Sequence, residues 1–459
     1  MAIAAISTPR GTGGIAVVRL SGADALEIAD RVWQGKRLSD IKSHTAHLGR
    51  IRTIGGEPID ECVATIFRGP NSYTGFDTVE FSLHGSPWIQ QAVMRALVEA
   101  GATPAGPGEF TRQAFLNGRI DLAQAEGVAD LMAASSKASA RVALTQVAGG
   151  ISRKLDTLRG KLMNLASLLE LELDFSEEDV EFADRGQLAE GVTAIKEEVE
   201  RLADSYLRGK VYKEGISIAL AGVPNAGKSS LLNRLVEEEK ALVTDIAGTT
   251  RDVIEATAEI GGVLCRFYDT AGLRQTTDLV EGLGIERARE RIRNAAIVLW
   301  LIDPTQNLGE QRQEYLSAII ENPEAFKVIV YTKSDLTDTI RTTPELEDPV
   351  SATEKTVYVS AKTGEGLDEL KQVISDYCGI GEEGSLTEQE TLVTNLRHYQ
   401  ELQSSLPYLR RIEEGMATLP TDLLAEELRG ALTHIGAITG AITTPDLLQN
   451  IFAHFCIGK

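Results

Sequence analysis

Cysteine is scarce in this chain: its 459 residues carry four, Cys62, Cys265, Cys378 and Cys456, widely dispersed and with no CxxC pair. That excludes a disulfide scaffold and a zinc ribbon, and three of the four read as ordinary buried thiols. Long apolar runs are missing too. Stretches such as Ala295 to Ile302 end well short of the roughly 18 residues a membrane helix needs, and no basic segment followed by an apolar one opens the N-terminus. A soluble, cytoplasmic protein with no membrane partner is expected. Positive charge is in deficit, with 46 Lys and Arg against 67 Asp and Glu and a net charge of -21. This argues against a broad nucleic-acid-binding surface, because phosphate contacts need clustered cations. The deficit is uneven: residues 1–118 hold 11 basic and 11 acidic residues, so all the excess acid lies beyond them. Much of it sits between Glu170 and Asp184, a run whose default reading is a solvated loop or partner-facing tail rather than a metal site.

What is present suffices for about three domains, with a hydrophobic content of 43% to fill their cores. Residues 1–118 mix β-like runs (Gly14 to Leu20, Glu61 to Phe67, Thr78 to Leu83) with a helical stretch from Ile89 to Ala100, the pattern of an α+β module. From Asp121 to about Leu173 the chain becomes Ala- and Leu-rich. There Val147, Ile151, Leu155, Leu158, Leu162, Leu165 and Leu169 step by three or four and make one apolar helix face. Helical patterns return at Thr391 to Leu409 and Leu423 to Ile435. Between the helical blocks, strand-like and helix-like runs alternate as in a doubly wound α/β domain. The simplest architecture inserts that domain into a helical one, since neither helical block looks large enough to bury its own apolar face; separate beads on a string are the alternative.

The inserted region opens with Gly222-Val223-Pro224-Asn225-Ala226-Gly227-Lys228-Ser229, a GxxxxGK[ST] match that follows the strand-like run Ile216 to Ala221 and precedes a helical one from Ser230. Inward-turned backbone amides, the Lys228 charge and a magnesium-ligating Ser229 hydroxyl make this a nucleoside triphosphate site. Asp245-Ile246-Ala247-Gly248-Thr249-Thr250 follows as a candidate switch loop with a magnesium-ligating threonine, Thr250. Then come Asp269-Thr270-Ala271-Gly272 as DxxG, Thr332-Lys333-Ser334-Asp335 and Ser360-Ala361-Lys362. Asp335 can accept two hydrogen bonds from guanine that adenine cannot offer, so GTP is favoured over ATP. Thr332 stands where the usual NKxD has Asn, which weakens a loop brace more than base reading. Leu273 stands where Ras-like enzymes carry the glutamine that orients water, so hydrolysis needs another water-positioning group and another source of positive charge. Asp278, Glu281 and Glu286 are the candidates for the first.

These residues, with Thr8-Pro9-Arg10-Gly11-Thr12-Gly13-Gly14, Arg19-Leu20-Ser21-Gly22, Tyr73-Thr74-Gly75, His84-Gly85, Pro107-Gly108-Glu109-Phe110-Thr111, Asp121 to Glu126 and the C-terminal Phe455-Cys456-Ile457-Gly458-Lys459, closely resemble one family over the whole chain. It is the bacterial tRNA-modification GTPase family MnmE, or TrmE. The resemblance implies a homodimerising, tetrahydrofolate-binding α+β domain at 1–118, a discontinuous helical domain at 119–212 and 380–459, and an inserted Ras-like α/β GTPase domain at 213–379. It implies folate contacts at Arg19, Glu80, Arg119 and Lys459, with Arg and Lys facing a glutamyl carboxylate and Glu facing the pterin; Arg119 replaces a lysine seen in some relatives. It places GTP on Asn225 to Ser230, Thr244 to Thr250, Asp269 to Gly272, Lys333, Asp335 and Ser360 to Lys362. Magnesium falls on Ser229 and Thr250, and potassium on Asn225 with the carbonyls of Thr244, Ile246 and Thr249. Glu281, twelve residues past Asp269, becomes the water-orienting carboxylate, and Cys456 a positioning thiol rather than a catalyst. The implied activity is GTP- and potassium-dependent modification of carbon 5 of the wobble uridine in certain tRNAs, with an FAD-containing partner (MnmG/GidA) in a heterotetramer. A formyl or methylene folate supplies the one-carbon unit. The alternative is a ribosome-assembly switch of the Era or Der type, disfavoured because no basic RNA-binding KH module is visible.

Overall fold

The computed structural model describes residues 1–9, 11–174, 185–238, 256–269, 290–320, 322–336, 354–378, 391–453 and 455–458. Cα proximity divides them into two compact units. One joins Met1–Met132, Gln146–Glu197 and Glu401–Lys459; the other joins Ala133–Thr145 and Glu198–Gln400.

The first unit holds a seven-stranded sheet: β1 (Ile3–Ile6), β2 (Ile15–Ser21), β3 (Trp33–Gln34), β4 (Thr45–Arg52), β5 (Pro58–Phe67), β6 (Thr78–His84) and β7 (Thr103–Pro104). The order is β3-β4-β5-β6-β2-β1-β7, antiparallel except for β1 beside β7. Alternation in β6 turns Val79, Phe81 and Leu83 inward, where they pack in one core with Ile28, Ala29 and Val32 of the helix Ala25–Val32 and Val93, Ala96 and Leu97 of the helix Pro87–Glu99. Those burials follow from period 2 in the strand and period 3.6 in the helices. The three strands and the helix expected here are present within a few residues. Strands β1 and β4 were not expected. Ile3–Ile6 has no polar alternation, and β4 buries only Ile51, with Gly49 leaving room for the Trp33 ring, which any Cβ there would meet.

The apolar helix face read from the sequence is real, but the run is broken. It forms the helices Leu122–Ala133, Lys137–Val147 and Gly150–Asp174. One break falls at Ser136 and Ser139, which cap reciprocally: each hydroxyl accepts the other's backbone N–H, at 3.1 Å and 3.0 Å. The other falls at Gly149, with φ +78°. Ile151, Leu155, Leu158, Leu162 and Leu169 are buried. Their helix packs against Thr421–Thr439, which buries Leu424, Leu428, Ala431 and Ile435. Two of the acids form ion pairs, Glu170 while remaining exposed. Glu170 pairs with Arg429 at 2.6 Å, and Glu172 with Arg185 at 2.8 Å, because helix packing brings those guanidinium groups alongside. Residues 175–184 of that acidic run lie outside the described residues.

The second unit contains β8 (Ile216–Gly222), β9 (Ala256–Ile260), β10 (Val263–Asp269), β11 (Ile297–Ile302), β12 (Phe326–Tyr331) and β13 (Glu354–Tyr358) in the order β13-β12-β11-β8-β10-β9. All neighbours are parallel except β9, which closes one edge antiparallel to β10. β11 is buried at all six positions, as a parallel strand covered on both faces must be. Within this unit, residues 205–209 lie beside residues 393–399: the Val393 N–H donates to Ser205 Oγ at 3.0 Å, Tyr206 stacks on Tyr399 at 4.7 Å, and a Cβ at Gly209 would collide with the Val393 carbonyl.

Candidate functional site

In an open parallel sheet, ligands sit beyond the carboxyl ends of the strands, where the order reverses. β8 lies at that point between β11 and β10, and the loop that follows it leads directly into the helix Lys228–Glu238. Gly222, Asn225 and Gly227 all take positive φ, at +135°, +64° and +94°, which curls the loop so that its amides converge. Gly222 admits no side chain, since a Cβ would meet the Leu301 carbonyl of β11. Lys228 is buried, and its Nζ donates to the carbonyls of Gly222 at 2.6 Å and Val223 at 2.8 Å. The ammonium is thus held inside the loop by the loop's own backbone, while Ser229 and Ser230 are exposed at the helix N-terminus. Asn225 is exposed and left-handed, a conformation that asparagine adopts more readily than other non-glycine residues. These residues fit a triphosphate and its magnesium.

The loops after β12 and β13 form the adjoining part. A Cβ at Gly227 would lie 3.8 Å from Thr332, so the phosphate loop abuts the segment that carries Asp335. The Asp335 carboxylate is exposed, and one oxygen accepts the Ser360 hydroxyl at 2.7 Å. Ser360 is fully buried and is fixed by N–H donation to the Glu365 carbonyl at 2.9 Å. The sequence brings Asp335 and Ser360 together only through the pairing of β12 with β13. Ala361 is half-buried and Lys362 exposed beside them.

Thr332 behaves differently from the asparagine it replaces. Its N–H and its hydroxyl both donate to one acceptor, the Ile302 carbonyl at the end of β11, at 2.9 Å and 3.2 Å. Lys333 has φ +58° and extends its Nζ to Asp303 Oδ2 at 2.6 Å. Asp303 is fully buried. Burial by itself would raise its carboxyl, but donors from Lys333, from the Thr305 hydroxyl and amide, and from Gln306 outweigh it and hold the group down at about 2. The carboxylate is therefore charged at neutral pH. Sequence reasoning missed this residue. The available signal was an acid directly after the fully apolar run Ile297–Ile302, at the ligand-facing strand ends.

In the first unit Arg19 and Glu80 stand opposite each other on β2 and β6. Arg19 Nε donates to Glu80 Oε1 at 2.8 Å, and its guanidinium lies 5.6 Å from the Tyr73 ring centre and 5.4 Å from that of Phe110. Adjacent strands thus hold Arg19 and Glu80 in one ion pair. Arg19 Nη1 remains buried without a hydrogen-bond partner among the described residues, a donor that fits an anionic or carbonyl group of a bound molecule. The C-terminal tail crosses the same unit. Ser7 Oγ donates to the Gly458 carbonyl at 3.1 Å, and the Gly108 N–H to the Cys456 carbonyl at 3.3 Å. Cys456 is exposed, whereas Cys62, Cys265 and Cys378 are buried, burial raising Cys62 and Cys378 to about 12. Arg119 is exposed, with its Cγ 3.3 Å from the position of a Cβ on Gly75.

Thr244, Asp245, Ile246, Ala247, Gly248, Thr249, Thr250, Thr270, Ala271, Gly272, Leu273, Asp278, Glu281, Glu286, Arg10 and Lys459 lie outside the described residues, as does the Asp269 side chain.

Comparison with known proteins places this geometry in context. A profile of the GTP-binding protein TrmE N-terminus matches residues 2–119, and one of the MnmE helical domain matches residues 122–456. The chain is 46% identical over 474 residues to a tRNA modification GTPase MnmE of Christiangramia forsetii, covering 100% of this chain and 99% of that one. It is 45% identical over 468 residues to the protein of the same name from Flavobacterium johnsoniae, again covering 100% and 99%. Against that of Porphyromonas gingivalis it is 46% identical over 467 residues, covering 100% and 98%.

Proposed function

The chain belongs to the MnmE (TrmE) family of tRNA modification GTPases and is a GTP hydrolase, and from that premise we propose that it is the potassium-dependent GTPase of a complex that modifies carbon 5 of the wobble uridine in certain tRNAs. The complex adds an aminomethyl or carboxymethylaminomethyl group. Its other component is the FAD-containing MnmG (GidA), assembled on a homodimer of this chain in the cytoplasm; among the described residues no helix is long and apolar enough to cross a membrane. In this reading residues 1–118 bind the folate and dimerise, 119–212 with 380–459 form the helical domain, and 213–379 hydrolyse GTP.

The observation that carries the reading is the joined phosphate and base loops, with buried Lys228 on one side and Asp335 oriented by Ser360 on the other. Lys228 positions the terminal phosphates, Ser229 and Thr250 hold magnesium, and Asp335 selects guanine. Asn225 with the carbonyls of Thr244, Ile246 and Thr249 holds potassium, whose charge stabilises the transition state where other GTPases use an arginine. The exposed, left-handed Asn225 supports that role, since its side chain is accessible to an ion. Glu281 orients the attacking water in place of the glutamine that Leu273 displaces. In the first unit Glu80, braced by Arg19, faces the polar edge of a tetrahydrofolate, with Arg119 and Lys459 as cationic neighbours and Cys456 positioning the tail. The folate, in its formyl or methylene form, supplies a one-carbon unit.

Nucleoside analysis of tRNA from a strain lacking this chain tests the function: loss of the wobble modification is expected, and unaltered wobble uridines would refute it in favour of a ribosome-assembly role. The cation is tested separately. GTP turnover should rise by about tenfold or more when sodium is exchanged for potassium at constant ionic strength, as removal of one transition-state charge predicts. Equal rates in the two salts would discard the potassium assignment.

A further inference from the structure

Asp303 belongs to no motif read from the sequence, yet its backbone and its carboxylate are both held by side chains. Its backbone is clamped by one side chain: the Asp303 N–H donates to Gln311 Oε1 at 2.8 Å, and Gln311 Nε2 donates back to the Asp303 carbonyl at 2.8 Å. Gln311 is buried in the helix Leu308–Ile319, whose first turn is capped by Asn307 Oδ1, which accepts from the Gly309 and Glu310 amides. Thr305 and Gln306 then fix the carboxylate rotamer from its own loop, at 2.6 Å and 2.7 Å. Lys333 reaches it from outside that loop. A capped helix, a buried amide and a buried carboxylate therefore form a rigid post to which the base loop is tied.

The tie matters because of what stands next to it. An asparagine at position 332 could cross-link neighbouring loops through both ends of its amide, but Thr332 has one hydroxyl and spends it on the Ile302 carbonyl. Lys333 adopts a left-handed backbone that its own side chain does not favour, and Asp335 lies two residues further on, in the short turn Ser334–Leu336. We propose that Asp303 is a positioning residue of the guanine site: its ion pair with Lys333 holds the segment Thr332–Asp335 in register for base reading and takes over the bracing that Thr332 does not supply. The proposal rests on the reading that Asp335 recognises guanine.

The test uses the full chain and equilibrium titration with fluorescent GDP and IDP, the latter lacking the amino group that a carboxylate at 335 would bind. D303N should weaken GDP binding by about tenfold, the scale of one charge-assisted hydrogen bond, while weakening IDP binding less, so that the GDP-to-IDP preference falls. A purely structural role would lower both affinities by the same factor and leave the preference intact, overturning the proposal. Should D303N not fold, K333Q and D303N/K333Q decide the matter, because Lys333 is partly exposed and its replacement leaves the core untouched. K333Q should reproduce the fall in preference, and the double variant should match K333Q within about twofold, as sites acting through one interaction must. An unchanged preference in K333Q, or a further tenfold loss in the double variant, would overturn it. Failure of the underlying reading is separately visible, since D335N would then leave guanine preference unaltered.

Discussion

Asp335→Asn is expected to abolish productive binding of guanine nucleotides and to create binding of xanthine nucleotides in their place. A carboxylate offers acceptors only, and guanine presents two donors, its ring N–H and its exocyclic amino group. Ser360 donates its hydroxyl to Asp335 Oδ1 at 2.7 Å, which fixes the plane of the carboxylate and leaves the second oxygen open on an exposed face. An asparagine in the same pose can keep the Ser360 contact through its carbonyl oxygen and must then turn its NH₂ toward the base. Opposite guanine that puts donor against donor and leaves polar groups unpaired. Opposite xanthine, whose C2 carries a carbonyl, the donor is matched. Discrimination built on hydrogen-bonding groups reaches about 10⁴-fold, so a loss of GDP affinity of at least about 100-fold is a conservative expectation. Titration with fluorescent GDP and XDP reads both halves of the change. Retention of parental GDP affinity would remove Asp335 from the base site.

Lys228→Met should reduce single-turnover GTP hydrolysis by about 10³-fold, the upper range for removal of one preorganised transition-state donor. The geometry makes the substitution informative. Lys228 is buried and its stem fills space inside the loop, so methionine preserves packing volume while deleting the charge. The Gly222 and Val223 carbonyls each lose a donor, which destabilises the empty loop by about 1–3 kcal/mol per unsatisfied group. That cost appears in the melting temperature of the nucleotide-free protein; the catalytic cost appears in the rate. The ammonium's two carbonyl bonds in this structure show where it rests before phosphates compete for it. A rate within tenfold of the parent would mean that the loop's amides alone carry the terminal phosphate.

The elements legible in the sequence were those set by local periodicity. β8 reads as a strand because the short apolar run Ile216 to Ala221 leads straight into the phosphate-loop motif, and the helix Gly150–Asp174 reads from its three-and-four spacing. The phosphate loop reads because glycine, lysine and serine at fixed offsets are required by a turn that closes within one segment. Thr332 and Leu273 were visible as departures for the same reason. Strand β4 was not legible, since its inward-facing positions run Thr45, His47, Gly49 and Ile51, of which Ile51 alone is buried, and the Trp33 ring over Gly49 comes from another strand. Nor was the break at Ser136 and Ser139, where side-chain caps override a continuous helical pattern.

The candidate sites divide along the same line. The sequence alone determined which chemical groups the protein possesses: a lysine and hydroxyl for phosphates, a carboxylate for guanine, a cysteine and lysine at the C-terminus. Only the tertiary structure decided which of those groups act on one another. Asp335 and Ser360 meet through the pairing of β12 with β13, Arg19 is spent on Glu80 through that of β2 with β6, and Lys333 finds its counterion on β11's final turn. Residue types and short spacings are written along the chain, whereas pair partners 25, 30 and 61 residues apart are set by strand register. Register is a property of the folded sheet, and it is what makes an unremarkable aspartate after β11 the counterion of Lys333.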